Sequence, residues 1–309
     1  DNFHISNSII MGSVPCNSSP QFHNDPITIT CANQPFIYNN GAIDPDGDSL
    51  AYFLVPCKRG PMIPLPPAYD IIATVPGDSV TVDRQTGAIS FTPTGPQIGY
   101  LCVEVHEYKN GILFRATVRD FQVVVLGNCS NEPPLASGFN NGNNYDTAVC
   151  PGQTLSFDIH SSDIVPFQNV EMSTNVDVAI PNATWTQSGG QYPTGTFSWT
   201  PTAADRGLNV FTVTVQDDAC PIVSTAVYTY SIYVGARIDA GPDIVICLGD
   251  TVQLNPAGNM AFSQYQWTST GGTGAMSDPT VAAPFVFPQT TTTFAVMGSN
   301  GFCQASDSI

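Results

Sequence analysis

Short runs in which apolar and polar residues alternate recur along the whole chain, at residues 50–55, 100–106, 121–126, 210–215, 228–234 and 292–296. Successive side chains of a strand point to opposite faces, so such runs bury one face and wet the other. Each run is bounded by Gly, Pro, Asn or Asp, which is the spacing of antiparallel sandwich strands. A helical period is nowhere sustained. The pattern predicts an all-β chain of tandem antiparallel β-sandwiches.

Composition agrees. Gly and Pro stand at 26 each in 309 residues, and charged residues make up only 11%. Lys occurs only at Lys58 and Lys109, and all but four acids are Asp, so good helix formers are scarce. Eight Lys+Arg against 25 Asp+Glu leave a net charge of −17. That charge disfavours nucleic acid and anionic membrane surfaces as partners, since neither phosphate array would find a basic patch. No apolar run approaches the length of a membrane span, so no membrane insertion is expected in this segment. The N-terminus Asp1-Asn2-Phe3-His4 reads as neither signal peptide nor anchor. Targeting information is expected outside this stretch, or already removed.

An internal repeat divides the chain. Gly87-Ala88-Ile89-Ser90-Phe91-Thr92-Pro93-Thr94 recurs as Gly195-Thr196-Phe197-Ser198-Trp199-Thr200-Pro201-Thr202. Gly99 and Gly207 follow at the same offset, each opening a long strand. Alternation puts Ile89/Phe91 and Phe197/Trp199 on one face, and Thr-Pro ends the strand because proline cannot donate to the ladder. Pro133-Pro134 and residues 235–242 mark joints, giving modules at 15–129, 130–235 and 236–309.

Nine cysteines, at 16, 31, 57, 102, 129, 150, 220, 247 and 303, form no C-x-x-C pair. They read as disulfides, hence as an oxidising, extracellular setting. Parity within modules favours Cys150–Cys220 and Cys247–Cys303. A geometric objection stands against both: in a simple sandwich the partners fall at opposite ends, so the first strand crosses over or the bridges join neighbouring modules. Cys31 and Cys102, at the starts of two strands of one end, are expected to pair. Cys16, Cys57 and Cys129 stay unassigned, with one odd thiol.

Several stretches resemble a known family. They are Cys16-Asn17-Ser18-Ser19-Pro20, Gly41-Ala42-Ile43-Asp44-Pro45-Asp46-Gly47-Asp48-Ser49-Leu50, Tyr108-Lys109-Asn110-Gly111 and Arg119-Asp120-Phe121-Gln122. The family comprises the type IX-secreted, gliding-motility-associated surface adhesins of Bacteroidota. Asp239-Ala240-Gly241-Pro242-Asp243 followed by Cys247-Leu248-Gly249-Asp250 looks like the start of its PKD/Ig-like repeat. The resemblance covers essentially the whole chain. It implies cadherin-like, Ig-like and PKD-like modules, with residues 1–14 as the last strand of a preceding module and 236–309 C-terminally incomplete. The chain is then a window on a longer protein, or a neighbouring subunit supplies the missing strand; the window is the simpler reading. Relatives of the second module usually carry a cysteine pair where this chain has Ser156 and Ser198.

Asp44-Pro45-Asp46-Gly47-Asp48 carries the most suggestive chemistry. Three carboxylates at alternate positions, with Gly47 for a sharp turn, can converge on one hard cation such as calcium. The alternative is an Asp-rich turn bonding its own backbone. Glu104 and Glu107 face outward or complete the Asp44 site. The resemblance places a comparable Asp-x-Asp metal at module junctions. Asp-[Ser/Thr]-apolar triplets mark Ser49, Ser79, Thr147, Thr251 and Ser308, and resemble the O-glycosylation acceptor of Bacteroidota extracytoplasmic proteins. The same pattern also begins strands. The sequons at Asn17, Asn128 and Asn182 mark loops. Trp185, Trp199 and Trp267 are read as core residues rather than a sugar platform. The four histidines stand apart, and no nucleophile, base and oxyanion donor assemble, so no enzyme is expected.

The chain reads as a non-catalytic stalk or adhesive segment of a large cell-surface protein. Its partners are then other modules of the same chain and a surface, glycan or protein ligand. Alternatives are an accessory region of a secreted enzyme, or a self-assembling filament subunit that exchanges strands in a homopolymer.

Overall fold

The computed structural model describes residues 5–9, 17–59, 63–64, 80–127, 129, 131–272 and 274–309. It is 49% strand and 4% helical, arranged in several antiparallel sheets. No helix among the described residues is long and apolar enough to cross a membrane. The chain forms two compact units, one of residues 1–145, 157–197 and 210–231, the other of 146–156, 198–209 and 232–309. Strands of the middle region run through both.

The first part of unit one holds β1 (Ile5–Ile9), β2 (Gln21–Phe22), β3 (Ile29–Cys31), β4 (Phe36–Asn39), β5 (Ala42–Ile43) and β6 (Ser49–Leu54). Then come β7 (Lys58–Arg59), β8 (Ile63–Pro64), β9 (Thr81–Val82), β10 (Ala88–Phe91), β11 (Gln97–Lys109) and β12 (Ile112–Leu126). One sheet runs β1-β12-β11-β6, with β3 parallel to the far end of β12, and it faces β4-β10-β9. The spine is the β11–β12 hairpin. Its turn residues Asn110 and Gly111 both take positive φ (52° and 76°), the conformation a two-residue hairpin turn needs. Tyr38, Ile89, Phe91, Leu101, Val103, Val105, Phe121 and Val123 form the core.

The chain continues with β13 (Leu135–Ala136), β14 (Asp146–Val149), β15 (Leu155–Ser162), β16 (Val170–Thr174) and β17 (Thr184–Gln187). β18 (Thr194–Trp199), β19 (Gly207–Asp217) and β20 (Thr225–Val234) follow. The sheets are β13-β15-β18-β17 and β14-β20-β19-β16. This is the A-B-E-D against G-F-C order of an Ig-like sandwich. Alternation decides it locally: in β18 Gly195, Phe197 and Trp199 point inward and Thr194, Thr196 and Ser198 outward. The two copies of the repeat thus fall on equivalent strands, β10 and β18. A chain of rings, Phe139, Phe157, Phe197, Phe211 and Tyr230, runs through the core at centroid separations of 4.5–5.0 Å.

Within unit one the two sandwiches are joined by buried polar side chains. Asn24 Nδ2 donates to Asn39 O (2.9 Å) and Thr212 Oγ1 (3.0 Å), and Asn39 Nδ2 donates to Thr229 Oγ1 (3.0 Å). Val227 packs into the first core beside them.

The last part of unit two holds β21 (Ile238–Asp239), β22 (Val252–Gln253), β23 (Ala257–Gly258), β24 (Gln264–Thr270) and β25 (Gly274–Met276). β26 (Phe285–Pro288), β27 (Thr293–Ser299) and β28 (Gln304–Ser308) complete it. Its sheets are β22-β26-β25 and β24-β27-β28, closed over Trp267, Leu254, Val286, Phe294 and Val296.

The disulfides correct the expected pairing. Cys31 bonds Cys129 (Cα–Cα 5.9 Å) and Cys57 bonds Cys102 (5.4 Å), not Cys31 with Cys102. The reason is that β12 lies between their strands. Cys31 is opposite Leu126 and Cys102 opposite Asp120, six residues or roughly 20 Å apart along β12. Cys57 reaches Cys102 because β6 ends beside it, where Val55 N donates to Cys102 O. Cys150 bonds Cys303 (5.7 Å), while Cys220 and Cys247 are unpaired and exposed. Cys150 follows Val149, which bonds Gly235 just past the end of β20, whereas Cys220 precedes the start of β20. Cys247 lies with residues 290–294 near the start of β27, and Cys303 follows its end. The expected Cys150–Cys220 and Cys247–Cys303 bridges are therefore not formed, and the geometric objection to both holds. Cys16 lies outside the described residues.

Candidate cation site

The loop 44–48 folds as an Asx turn. Asp44 Oδ1 accepts the amides of Asp46 (2.9 Å) and Asp48 (3.1 Å), and Gly47 takes φ 78°, which a side chain would resist. That occupies one Asp44 oxygen and leaves the other, Oδ2, buried without a hydrogen-bond partner. The turn delivers the chain into β6, where Leu50 pairs with Glu107 of β11.

Glu107 is the residue that completes the site. On β11 the inward phase runs Leu101, Val103, Val105, Glu107, so the glutamate continues a core face and is fully buried. Its Oε1 accepts Asn17 Nδ2, and its Oε2 has no partner. Asp44, Asp48 and Glu107 each place an oxygen within 4.8 Å of the others. Two oxygens on one calcium ion, each at about 2.3–2.6 Å, stand at most about 4.6–5.2 Å apart, so the three oxygens are close enough to share one ion and would supply three of the six to eight oxygens it takes. The two orphan oxygens are acceptors with no donor, which is what a resident cation relieves.

Asp46 does not join them. It is exposed, and accepts Ser18 N, which holds its carboxyl below its ordinary value. Of the expected set Asp44, Asp46, Asp48, the structure thus brings together Asp44 and Asp48 with Glu107 in place of Asp46, because the Asp46 carboxylate turns outward to the Ser18 amide. Glu104, one strand phase away, sits beside His106 Nε2 at 3.0 Å instead.

Electrostatics follow from burial. Desolvation pushes the Asp44 carboxyl above its ordinary value, against the pull of the Asp48 and Asp46 amides. Glu107 is likewise raised by burial and then by the Asp44 charge, with Arg115 opposing. Two cations are nearby. Lys109 Nζ bridges Asn17 Oδ1 (2.7 Å) and Asp48 Oδ2 (3.4 Å). Arg115, paired across from Glu107, donates to Ser19 Oγ and to Asn17 O (3.3 Å). The site thereby clasps residues 17–19 from three sides.

The remaining sequence candidates are dispersed. Ser49 is exposed at the start of β6, with its hydroxyl on Tyr108 O (3.2 Å). Thr251 and Ser308 are exposed and Thr147 is half-buried; Ser79 lies outside the described residues. Trp199 and Trp267 are core residues, and Trp185 covers Gly195, where no side chain would fit.

No protein-family model and no curated protein matches the chain. Solved structures do. A three-domain I-band fragment of titin is 11% identical over 95% of this chain and 98% of its own, with a TM-score of 0.25. The three-Ig ectodomain of mouse nectin-like molecule 4 is 12% identical over 91% and 95%, at 0.26. An endo-fucoidan hydrolase of glycoside hydrolase family 107 is 14% identical over 95% of this chain and 44% of its own, at 0.24. At such scores the assignment of the fold rests on this chain's own strand order.

Proposed function

We propose that the chain is a non-catalytic stalk or adhesive segment of an extracellular surface protein, built of three sandwich modules near 15–129, 130–235 and 236–309. One observation carries it: successive sandwiches in unit one are fastened by the buried Asn24–Thr212 and Asn39–Thr229 bonds and by Val227. A connection of that kind fixes the orientation of one module on the next, which a flexible tether does not. Three disulfides support an oxidising compartment. In this reading calcium is held by Asp44, Asp48 and Glu107, and glycans occupy exposed acceptors such as Ser49 and Thr251.

The test is the intact mass and terminal sequences of the native protein, with protease shaving of intact source cells. Further sandwiches on the parent chain and release by shaving are expected. A catalytic domain on the same chain would replace the reading with an accessory region of a secreted enzyme. A helical repeat in electron micrographs would replace it with a filament subunit.

A further inference from the structure

Two loops of unit one emerge at the same end of a sheet. β16 begins at Val170, whose partner is Asp217 at the end of β19, so residues 163–169 and 218–223 are neighbours. They are laced together. Asn169 N and Nδ2 donate to the two carboxylate oxygens of Asp218 (2.8 and 2.6 Å). Asn131 Nδ2 donates to Asp217 Oδ2 (2.7 Å), Ser224 Oγ (2.9 Å) and Ile222 O (3.3 Å), and Gln168 Nε2 donates to Asn131 Oδ1 (2.8 Å).

On this fixed base stand apolar side chains that the fold does not use. Phe167 is 91% exposed, Ile164 70% and Val223 41%, with Pro166 and Pro221 also exposed. Phe167 has φ 72°, a region that bulky side chains avoid. The backbone is therefore held in an unfavourable conformation while the ring it carries is directed away from the core. Strain kept at an exposed aromatic tip is a feature of contact surfaces, whereas scattered exposed residues on relaxed backbone are ordinary.

The surroundings of the tip decide the occupant. Asp163, Asp217, Asp218 and Glu132 lie in or beside these loops, and no Lys or Arg occurs between Asp120 and Asp205. A second copy of a chain with net charge −17 would bring the same acids, and an anionic bilayer would be repelled likewise. We infer that the tip formed by Ile164, Phe167, Pro221 and Val223 docks a protein or peptide surface that is apolar at its centre and rimmed with Lys or Arg. The inference stands apart from the stalk reading, since it needs only these two loops.

The probe is a fluorescein-labelled amphipathic helical peptide of Leu and Lys, with its Leu/Glu counterpart and phosphatidylcholine vesicles as comparisons. The variant I164S/F167G keeps the net charge, and glycine takes the Phe167 backbone conformation without strain. Expected are salt-sensitive binding of the Leu/Lys peptide, a loss of at least tenfold in affinity in the variant, and a melting temperature not below the parent's. Four results would each overturn the inference. These are equal affinity of variant and parent, equal binding of the Leu/Glu peptide, no peptide binding at all, or Phe167-dependent partition into the vesicles. A variant that melts lower would show instead that the tip serves the fold.

Discussion

Replacing Glu107 by Gln separates the cation site from an ordinary buried carboxylate, because it raises stability without the ion and at the same time shrinks the gain that the ion brings. Gln has nearly the same shape, keeps an oxygen for Asn17 Nδ2, and offers an amide to the orphan Asp44 Oδ2. Without calcium the change removes one negative charge from three clustered carboxylates and gives at least one orphan acceptor a donor. An unsatisfied buried acceptor costs about 1–3 kcal/mol, so E107Q in chelator should be more stable by about that amount. With calcium at a hundred times its dissociation constant, the wild type gains about 2.7 kcal/mol by mass action. Losing one charged ligand of three, and at least tenfold in affinity, cuts that gain to about 1.4 kcal/mol or less in the variant. At about 2–4 °C per kcal/mol, the wild-type shift on adding calcium is about 5–11 °C. The assay is a thermal melt of each protein in EGTA and in millimolar calcium. E107Q melting below the wild type in EGTA, or a calcium shift unchanged by the substitution, would refute the reasoning.

A non-reducing peptide map should return Cys31–Cys129, Cys57–Cys102 and Cys150–Cys303, with Cys220 and Cys247 alkylated before reduction. Opening Cys150–Cys303 as the double Ser variant should lower stability by up to about 5 kcal/mol on the chain-entropy account of a 153-residue separation, read by urea denaturation. A double-mutant cycle on N39A and T229V should give a coupling of about 0.5–1.5 kcal/mol, and none if the bond between the sandwiches is idle. In EGTA the excess stability of E107Q should shrink as pH falls. The folded-state Glu107 carboxyl is raised above its ordinary 4.5, so the folded wild type binds the proton first and its penalty disappears through that window. A gap that widens toward acid would contradict the raised value.

Local patterns were legible in the chain and pairings across it were not. The alternation that put Phe197 and Trp199 inward is a property of adjacent residues, and β18 follows it. The Asn110-Gly111 turn is equally local. Glu107 was legible in part: it stood with Glu104 among the acids that could complete the Asp44 site, and only its phase with Leu101, Val103 and Val105 tells the two apart. Asp46 misled because counting carboxylates in a turn says nothing about which side each faces. The cysteines misled because pairing depends on which strand lies between them, and neither β12 between Cys31 and Cys102 nor the reach from Cys150 to Cys303 is written in spacing. Phe167 lacked any signal, since its exposure and its φ are set by the loop it closes.

The bridge from Cys31 to Cys129 has a mechanical meaning. Tension entering before Cys31 and leaving after Cys129 travels through one covalent bond, and the 98 residue spacings between them are taken out of the path. Fully drawn out, that stretch would lengthen the chain by roughly 320–350 Å. Cys150–Cys303 removes another 153 spacings, roughly 500–550 Å. While both bonds are closed, neither stretch can be pulled out. A fibre of such units would transmit a sharp load almost without lengthening, and would become stretchable only when a reductant reaches the sulfurs.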